Sequence, residues 1–350
     1  MPLTDASSYP VWVNLLIFAI AGALVWLAGT RLSRYLGRVS EITGIEQAVV
    51  GMLMLGTLTS LPEIANVATA SYFGNPALAA NNLLGSASIN LVLIAVVDAI
   101  FGRDALTSVV AHPSTLLQSA LCMIVMTFVA VAVTSGDVTI FGTGVWTIAL
   151  FTMSLTCFWM SKGYGARTAW GLQEEKKPQK PRARSSTHDN ASAPSLRRLV
   201  VQIAIAAAVI LVAGYTLSQT GDGIAEQTGL GSGLVGFLLI GFATSLPELS
   251  SISTSVRMGR HEMAIGEVLG TNFVNISLLL LADLVYRGGP VIAELGKFEM
   301  ISALLGVLLT GIYLVGLLER RNPVILRMGY DSLAVLLVFA AGVGLLFSLR

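Results

Sequence analysis

The chain has 350 residues, of which 54% are hydrophobic and only 12% charged, with a mean hydropathy of +0.77 and a formal net charge of +1. Soluble domains carry about 25% charged residues, so the composition excludes an ordinary soluble protein and predicts an all-α integral membrane protein. The near-zero charge argues against a bulk pull on nucleic acid. A spanning helix needs about 20 mostly apolar residues. Such stretches follow one another over roughly residues 11–30, 47–74, 76–101, 113–135 and 138–161, then over 199–220, 230–257, 262–286, 298–319 and 330–349. Ten transmembrane helices are therefore expected. No basic stretch precedes the first, which argues against a cleaved signal peptide. Between the fifth and sixth lies Lys162–Arg198, rich in Lys, Arg, Ser and Pro, as in Pro181-Arg182-Ala183-Arg184-Ser185-Ser186. It reads as a mobile linker. It is too short for a regulatory domain of ordinary size, and nothing in it resembles an EF-hand loop. The expected organisation is 1–161, a cytoplasmic basic linker 162–198, and 199–350.

The pentapeptide Thr-Ser-Leu-Pro-Glu occurs twice, at Thr59–Glu63 and Thr244–Glu248. The offset of 185 holds without a gap from about Val39 to Gly102. Each half then holds five helices. Five is odd, so the second half enters the membrane from the opposite side, giving an inverted repeat, the architecture of many secondary transporters. Loops on the linker side hold eighteen of the 21 Lys and Arg residues. Cytoplasmic loops carry the basic excess, so the linker is expected in the cytoplasm and both termini outside. The compact chain suggests a prokaryotic plasma (inner) membrane.

No Lys, Arg or His lies in the interior of these segments. Glu63 and Glu248 therefore have no protein cation with which to pair, although a charge near the bilayer centre costs roughly 2.5–3.5 kcal/mol on insertion scales. They must be protonated or balanced by something that arrives from solution. On a helix, Thr59, Ser60 and Glu63 share one face. Pro62 has no N–H, so it frees the carbonyl of Leu58 and kinks the helix; Pro247 does the same for Ala243, beside Thr244, Ser245 and Glu248. Carbonyls, hydroxyls and a carboxylate converging on one spot describe a hard-cation site. The following helix repeats too: Ser86 and Asn90 answer to Thr271 and Asn275. Cys122 and Cys157 read as small packing residues. His112, His188 and His261 fall in expected loops and suggest no histidine metal site.

These residues resemble the two alpha-repeats of the sodium/calcium exchanger family, within the calcium:cation antiporter superfamily. The matching elements are Gly56-Thr57-Leu58-Thr59-Ser60-Leu61-Pro62-Glu63 with Gly85–Asn90, and Gly241-Phe242-Ala243-Thr244-Ser245-Leu246-Pro247-Glu248 with Gly270–Asn275. The resemblance implies a mid-membrane ion cluster. In it Glu63 and Glu248 are the principal calcium ligands, and Thr59, Ser60, Ser86, Thr244, Ser245 and Thr271 supply hydroxyls, chiefly to sodium. Asn90 and Asn275 complete it, with backbone carbonyls near Gly56 and Gly241. The chain departs from the family in three places. Asn275 stands where many members carry Asp. Ala87 replaces an Asn that Asn272 keeps in the second half. The Gly-Asn pair one turn earlier is Asn81-Asn82 in one half and Gly266-Glu267 in the other. Glu267 is thus a candidate third carboxylate or an interfacial acid. Asp98 and Asp283 also correspond, and a solvated or capping role is expected for both, near helix ends.

The function expected is secondary active antiport of Ca²⁺ against Na⁺ or H⁺ by alternating access. No cofactor, nucleic acid or obligatory protein partner is expected, only inorganic cations and the lipid bilayer. Exchange of another cation, such as Na⁺ for H⁺, Mg²⁺ or Mn²⁺, remains open, since hard oxygen ligands do not choose among these by sequence. A cation channel fits less well, because channels commonly repeat around an axis normal to the membrane. An intramembrane enzyme lacks a Ser/His or paired-aspartate motif.

Overall fold

The computed structural model describes residues 6–43, 56–101, 106–109, 113–140, 142–162, 196–257, 261–319, 324–325 and 328–349. Residues 47–55 of the second expected span, the linker between 163 and 195, His112 and His188 lie outside these. Among the described residues, ten helices of twelve or more residues order the fold: α1 Val11–Thr43, α2 Leu61–Tyr72, α3 Pro76–Phe101, α4 Pro113–Ser135, α5 Val145–Lys162, α6 Leu196–Thr228, α7 Leu246–Arg257, α8 His261–Val285, α9 Lys297–Glu319 and α10 Tyr330–Ser348. Short helical turns Gly56–Thr59 and Gly241–Thr244 precede α2 and α7. Among the described residues, seven helices are long and apolar enough to cross a membrane, and the bent pair ending in α7 makes an eighth; α5 is shorter.

The 185-residue offset reaches well beyond the motifs. Helix starts at 11 and 196, 61 and 246, 76 and 261, and 145 and 330 all differ by 185. So do two antiparallel hairpins absent from the sequence reading, β1 Thr139–Ile140 with β2 Thr143–Gly144, and β3 Val324–Ile325 with β4 Met328–Gly329. The first hairpin shortens the fifth span, which begins at 145 rather than 138. The first and sixth helices run longer than expected, to Thr43 and from 196 to 228. Their added residues include Arg31, Arg34, Arg38, Arg197 and Arg198, all exposed at the helix ends. His261 opens α8 rather than sitting in a loop.

Gly236 packs against Leu78 and Gly241 against Ser86, so the chain entering α7 runs alongside α3 in the same direction. A short turn sets α2 antiparallel to α3, so α7 runs opposite to its counterpart α2. That is the geometry of inversion.

The longest helices, α1 and α6, pack against each other and against the site helices. At 33 residues each, they would measure about 50 Å against a hydrocarbon core of ~30 Å. The outer face of α1 exposes Trp12, Leu15, Leu16, Ile20, Leu24 and Leu27 at helical spacing, and α6 exposes Val200, Val201, Ile205 and Val212. An apolar face this wide suits lipid. Their inner faces carry equivalent glycines. A Cβ on Gly29 would stand 2.6 Å from Cβ of Pro247, and one on Gly214 would stand 2.9 Å from the carbonyl oxygen of Pro62. Each long helix thus lies directly on the helix-breaking proline of the opposite half. The centre belongs to α3 and α8, whose Leu83, Leu84, Ala87, Val268, Leu269 and Phe273 sit in the main core.

Candidate ion-binding site

The site is made by two broken helices. Ser60 (φ −79°, ψ 5°) separates Gly56–Thr59 from α2, with proline in the first turn beyond it. Ser245 (φ −83°, ψ 5°) does the same before α7, and there the two pieces meet at 46°. A π-helical stretch, Val235–Ile240, precedes the second break. Such widened turns are frequent at functional positions. The breaks carry out what Pro62 and Pro247 predict. Backbone pairing resumes at once, with Ile64 N–H donating to Ser60 O at 3.0 Å and Leu249 N–H to Ser245 O at 3.2 Å.

Side chains from both halves converge on these breaks. Thr59, Ser60, Glu63, Ser86, Asn90, Thr244, Ser245, Glu248 and Asn275 are completely buried, and Thr271 is nearly so. The halves interlock. Ser86 Oγ lies 3.0 Å from Thr244 Oγ1 and donates to the Gly241 carbonyl at 3.3 Å, while Thr244 Oγ1 donates to Asn82 Oδ1 at 3.1 Å. Asn90 Nδ2 donates to Asn272 Oδ1 at 3.4 Å, and Asn272 Nδ2 donates to the Ala87 carbonyl at 3.1 Å. Glu63 stands beside Thr244 and Ser86; Glu248 stands beside Thr59, the residue equivalent to Thr244. Each carboxylate therefore faces the hydroxyl of the other half.

Among the described residues, no donor is aligned to hydrogen-bond either carboxylate. Ser60 Oγ, Ser245 Oγ, Thr271 Oγ1, Asn90 Oδ1 and both polar atoms of Asn275 are likewise buried without a protein partner. Native interiors leave few such atoms, and stranding them is costly. Their concentration at one place, mostly as hard oxygens, is the donor set a small hard cation takes. The two carboxylates are close enough to repel one another. The Gly241 carbonyl accepts from Ser86 Oγ at 3.3 Å and from Thr244 Oγ1 at 3.4 Å; Gly56 opens the helical turn before Ser60, and its surroundings lie outside the described residues. Glu267 accepts from Ser251 Oγ at 2.8 Å and is near enough to Glu248 for the two charges to act on each other.

The family then follows from the whole chain rather than from motifs. The profile described as sodium/calcium exchanger protein matches residues 13–160 and 198–348. The chain belongs to that family. Among curated relatives, a putative antiporter, CaxA of Alkalimonas amylolytica, is 26% identical over 341 residues, covering 95% of this chain and 98% of its own length. Among solved structures, the sodium-calcium exchanger NCX_Mj superposes with a TM-score of 0.62 at 18% identity, over 96% of this chain and 99% of that one. An H⁺/Ca²⁺ exchanger, CAX, superposes with 0.64 at 13% identity, over 99% and 90%. These two share the fold. This sodium/calcium exchanger family member is a multi-pass membrane transporter.

Two features of the family member were misread or missed in its sequence. Asp98 and Asp283, expected to be solvated or capping, are buried, and each accepts two backbone N–H groups. Asp98 accepts from the N–H groups of Leu106 (3.0 Å) and Gly329 (2.9 Å) and from Ser332 Oγ (2.8 Å). Asp283 accepts from Val291 N–H (2.7 Å), Gly144 N–H (2.6 Å) and Thr147 Oγ1 (2.9 Å). Every partner is shifted by 185. Each aspartate ties the end of its own helix to the hairpin of the other half. Asn66 was passed over. It is fully buried, with both amide atoms unpartnered, and its place three residues after Glu63 on one helical face was the signal available.

Proposed function

We propose that this chain is a secondary active cation antiporter that exchanges Ca²⁺ for Na⁺ or H⁺ by alternating access at the Glu63–Glu248 cluster. The observation that carries the reading is the pair of equivalent, fully buried carboxylates that stand beside hydroxyls but have, among the described residues, no aligned hydrogen-bond donor. Two carboxylates balance one Ca²⁺, two Na⁺ or two H⁺. Competition for the same oxygens then gives exchange without a separate coupling device. An empty, doubly charged cluster resists crossing between its two exposures, because desolvating it is costly, so the unloaded carrier does not leak. The names of the relatives support both counter-ions: one shared-fold structure is a sodium-calcium exchanger and another an H⁺/Ca²⁺ exchanger. Because residue 275 is Asn, the core charge favours a two-for-one cycle. Thr59, Ser60, Ser86, Thr244, Ser245, Thr271, Asn90 and Asn275 would complete the oxygen shell. The basic excess on the linker side supports a cytoplasmic linker with both termini outside, and the compact chain fits a prokaryotic plasma membrane.

The test is ⁴⁵Ca²⁺ uptake into proteoliposomes under an imposed Na⁺ or H⁺ gradient. Uptake should saturate and require one of these counter-ions, and both Glu63→Gln and Glu248→Gln should abolish it. Uptake that survives both substitutions would sink the mechanism.

A further inference from the structure

Positions related by 185 flank the site on opposite sides, and one such pair differs in charge. Asn82 and Glu267 are equivalent, each four residues before the hydroxyl residue of its helix, Ser86 or Thr271. Four residues are about 6 Å along a helix. Asn82 therefore lies one turn beyond the cluster on the side away from the linker, and Glu267 one turn beyond it on the linker side. Asn82 is absorbed into the central network through Thr244. Glu267 is not. One of its oxygens accepts from Ser251 and the other, Oε1, is buried with no partner. Thr271 Oγ1 is a second unpartnered atom on the same helical face, in a residue only 2% exposed. Helical side chains lean toward the N-terminus, so this hydroxyl leans toward Glu267. Its counterpart Ser86 is engaged with Thr244 and Gly241. Glu267 is near enough to act electrostatically on Glu248, yet among the described residues no three acidic, histidine or cysteine side chains are close enough to hold one ion.

We propose that Glu267 and Ser251, with the Thr271 hydroxyl at the edge of the central cluster, form a further binding position for one sodium ion on the linker side. One carboxylate balances one monovalent ion; a divalent ion would keep an uncompensated charge in apolar surroundings. The carboxylate and two hydroxyls are hard oxygen donors, suited to an alkali ion rather than a soft metal. Sodium approaching from the linker side meets this position before the cluster. Sodium approaching from the other side meets the amides of Asn66 and Asn82 and, next to them, the Glu299 carboxylate, whose two oxygens are already taken by Asn81 Nδ2 and Gly296 N–H. The apparent sodium affinity should accordingly be tighter from the linker side. The proposal takes the chain to be a cation carrier, as above, but its test needs no transport.

That test is equilibrium binding of ²²Na⁺ to the purified full-length protein in detergent, at ionic strength held constant with a large organic cation. The Glu63→Gln/Glu248→Gln double variant should keep one sodium per chain, and adding Glu267→Gln should remove it. In the otherwise unchanged chain, Glu267→Gln should lower the sodium bound by one per chain. Ser251→Ala, which keeps the charge, should weaken binding to the double variant roughly fivefold, the worth of one polar contact. Gel filtration reports whether each variant is folded. A double variant that binds no sodium, or an unchanged stoichiometry in Glu267→Gln, overturns the proposal. If the triple variant fails to fold, Ser251→Ala decides, and an unchanged affinity overturns it. Failure of the antiport reading would be seen elsewhere, as calcium flux that outlives Glu63→Gln and Glu248→Gln.

Discussion

At the scale of single residues, the site is organised by hydroxyls that cross between halves. Thr244 is the most connected of them, placed between Asn82, Ser86 and the Gly241 carbonyl and beside Glu63. Thr244→Ala should raise the calcium KM about fivefold or more, the equivalent of ~1 kcal/mol. The maximal rate should change less, and Thr244→Ser should restore affinity. Concentration dependence of ⁴⁵Ca²⁺ uptake checks this. The glutamates, threonines and serines of the cluster were legible in the sequence because carboxylates and hydroxyls are rare inside apolar stretches and theirs recur at fixed spacing. Asp98 and Asp283 were not legible, because two of each one's three donors are backbone N–H groups. A backbone amide leaves no trace in residue identity, so an acid near a helix end looks the same whether water or a folded hairpin surrounds it.

Among the elements, close approach matters most where α1 and α6 cross the helix-breaking prolines. Gly214→Val would drive a side chain into Ala65 and Pro62, and Gly29→Val into Pro247. Overpacking typically costs about 1–3 kcal/mol, and here it would also displace the helix breaks. Each substitution should lower calcium uptake at least tenfold, whereas Gly22→Ala on the same face of α1, where the neighbours stand at 3.8 Å, should be tolerated. The aspartate ties make a separate prediction. Asp283→Ala leaves Val291 N–H, Gly144 N–H and Thr147 Oγ1 without their acceptor, about 1 kcal/mol or more each. The melting temperature should fall by more than about 5 °C, and by less in Asp283→Asn, which keeps one oxygen. The hairpins β1–β2 and β3–β4 escaped the sequence reading because two-residue strands are too short to carry an alternating pattern, and apolar residues such as Val138 and Ile140 fall within the same long hydropathic stretch as α5. The π-helical turn before Gly241 has no residue signature either; it accommodates the contact of Phe237 with Gly85.

For the whole molecule, the broad plan was legible because hydropathy and a fixed offset both survive where side-chain identity has drifted. The sequence repeat fades after Gly102; the fourth pair, α4 and α9, slips to an offset of 184, and the hairpins with α5 and α10 return to 185. Packing preserves backbone course while surface residues facing lipid change freely, so the repeat lasts longer in geometry than in letters. The cross-ties at Asp98 and Asp283, with the pairing of α1 against α6 and of α4 against α9, leave the halves joined by folded contacts at both ends. Peptide continuity through residue 180 then becomes dispensable. Two genes encoding residues 1–180 and 181–350, expressed in one cell, should yield fragments that co-purify through a tag on either and together restore calcium uptake. Either fragment alone should be cleared by membrane proteases, its half-built core exposed. Fragments that accumulate separately and never associate would show that the covalent bridge, rather than the mutual clasp of the halves, holds the carrier together.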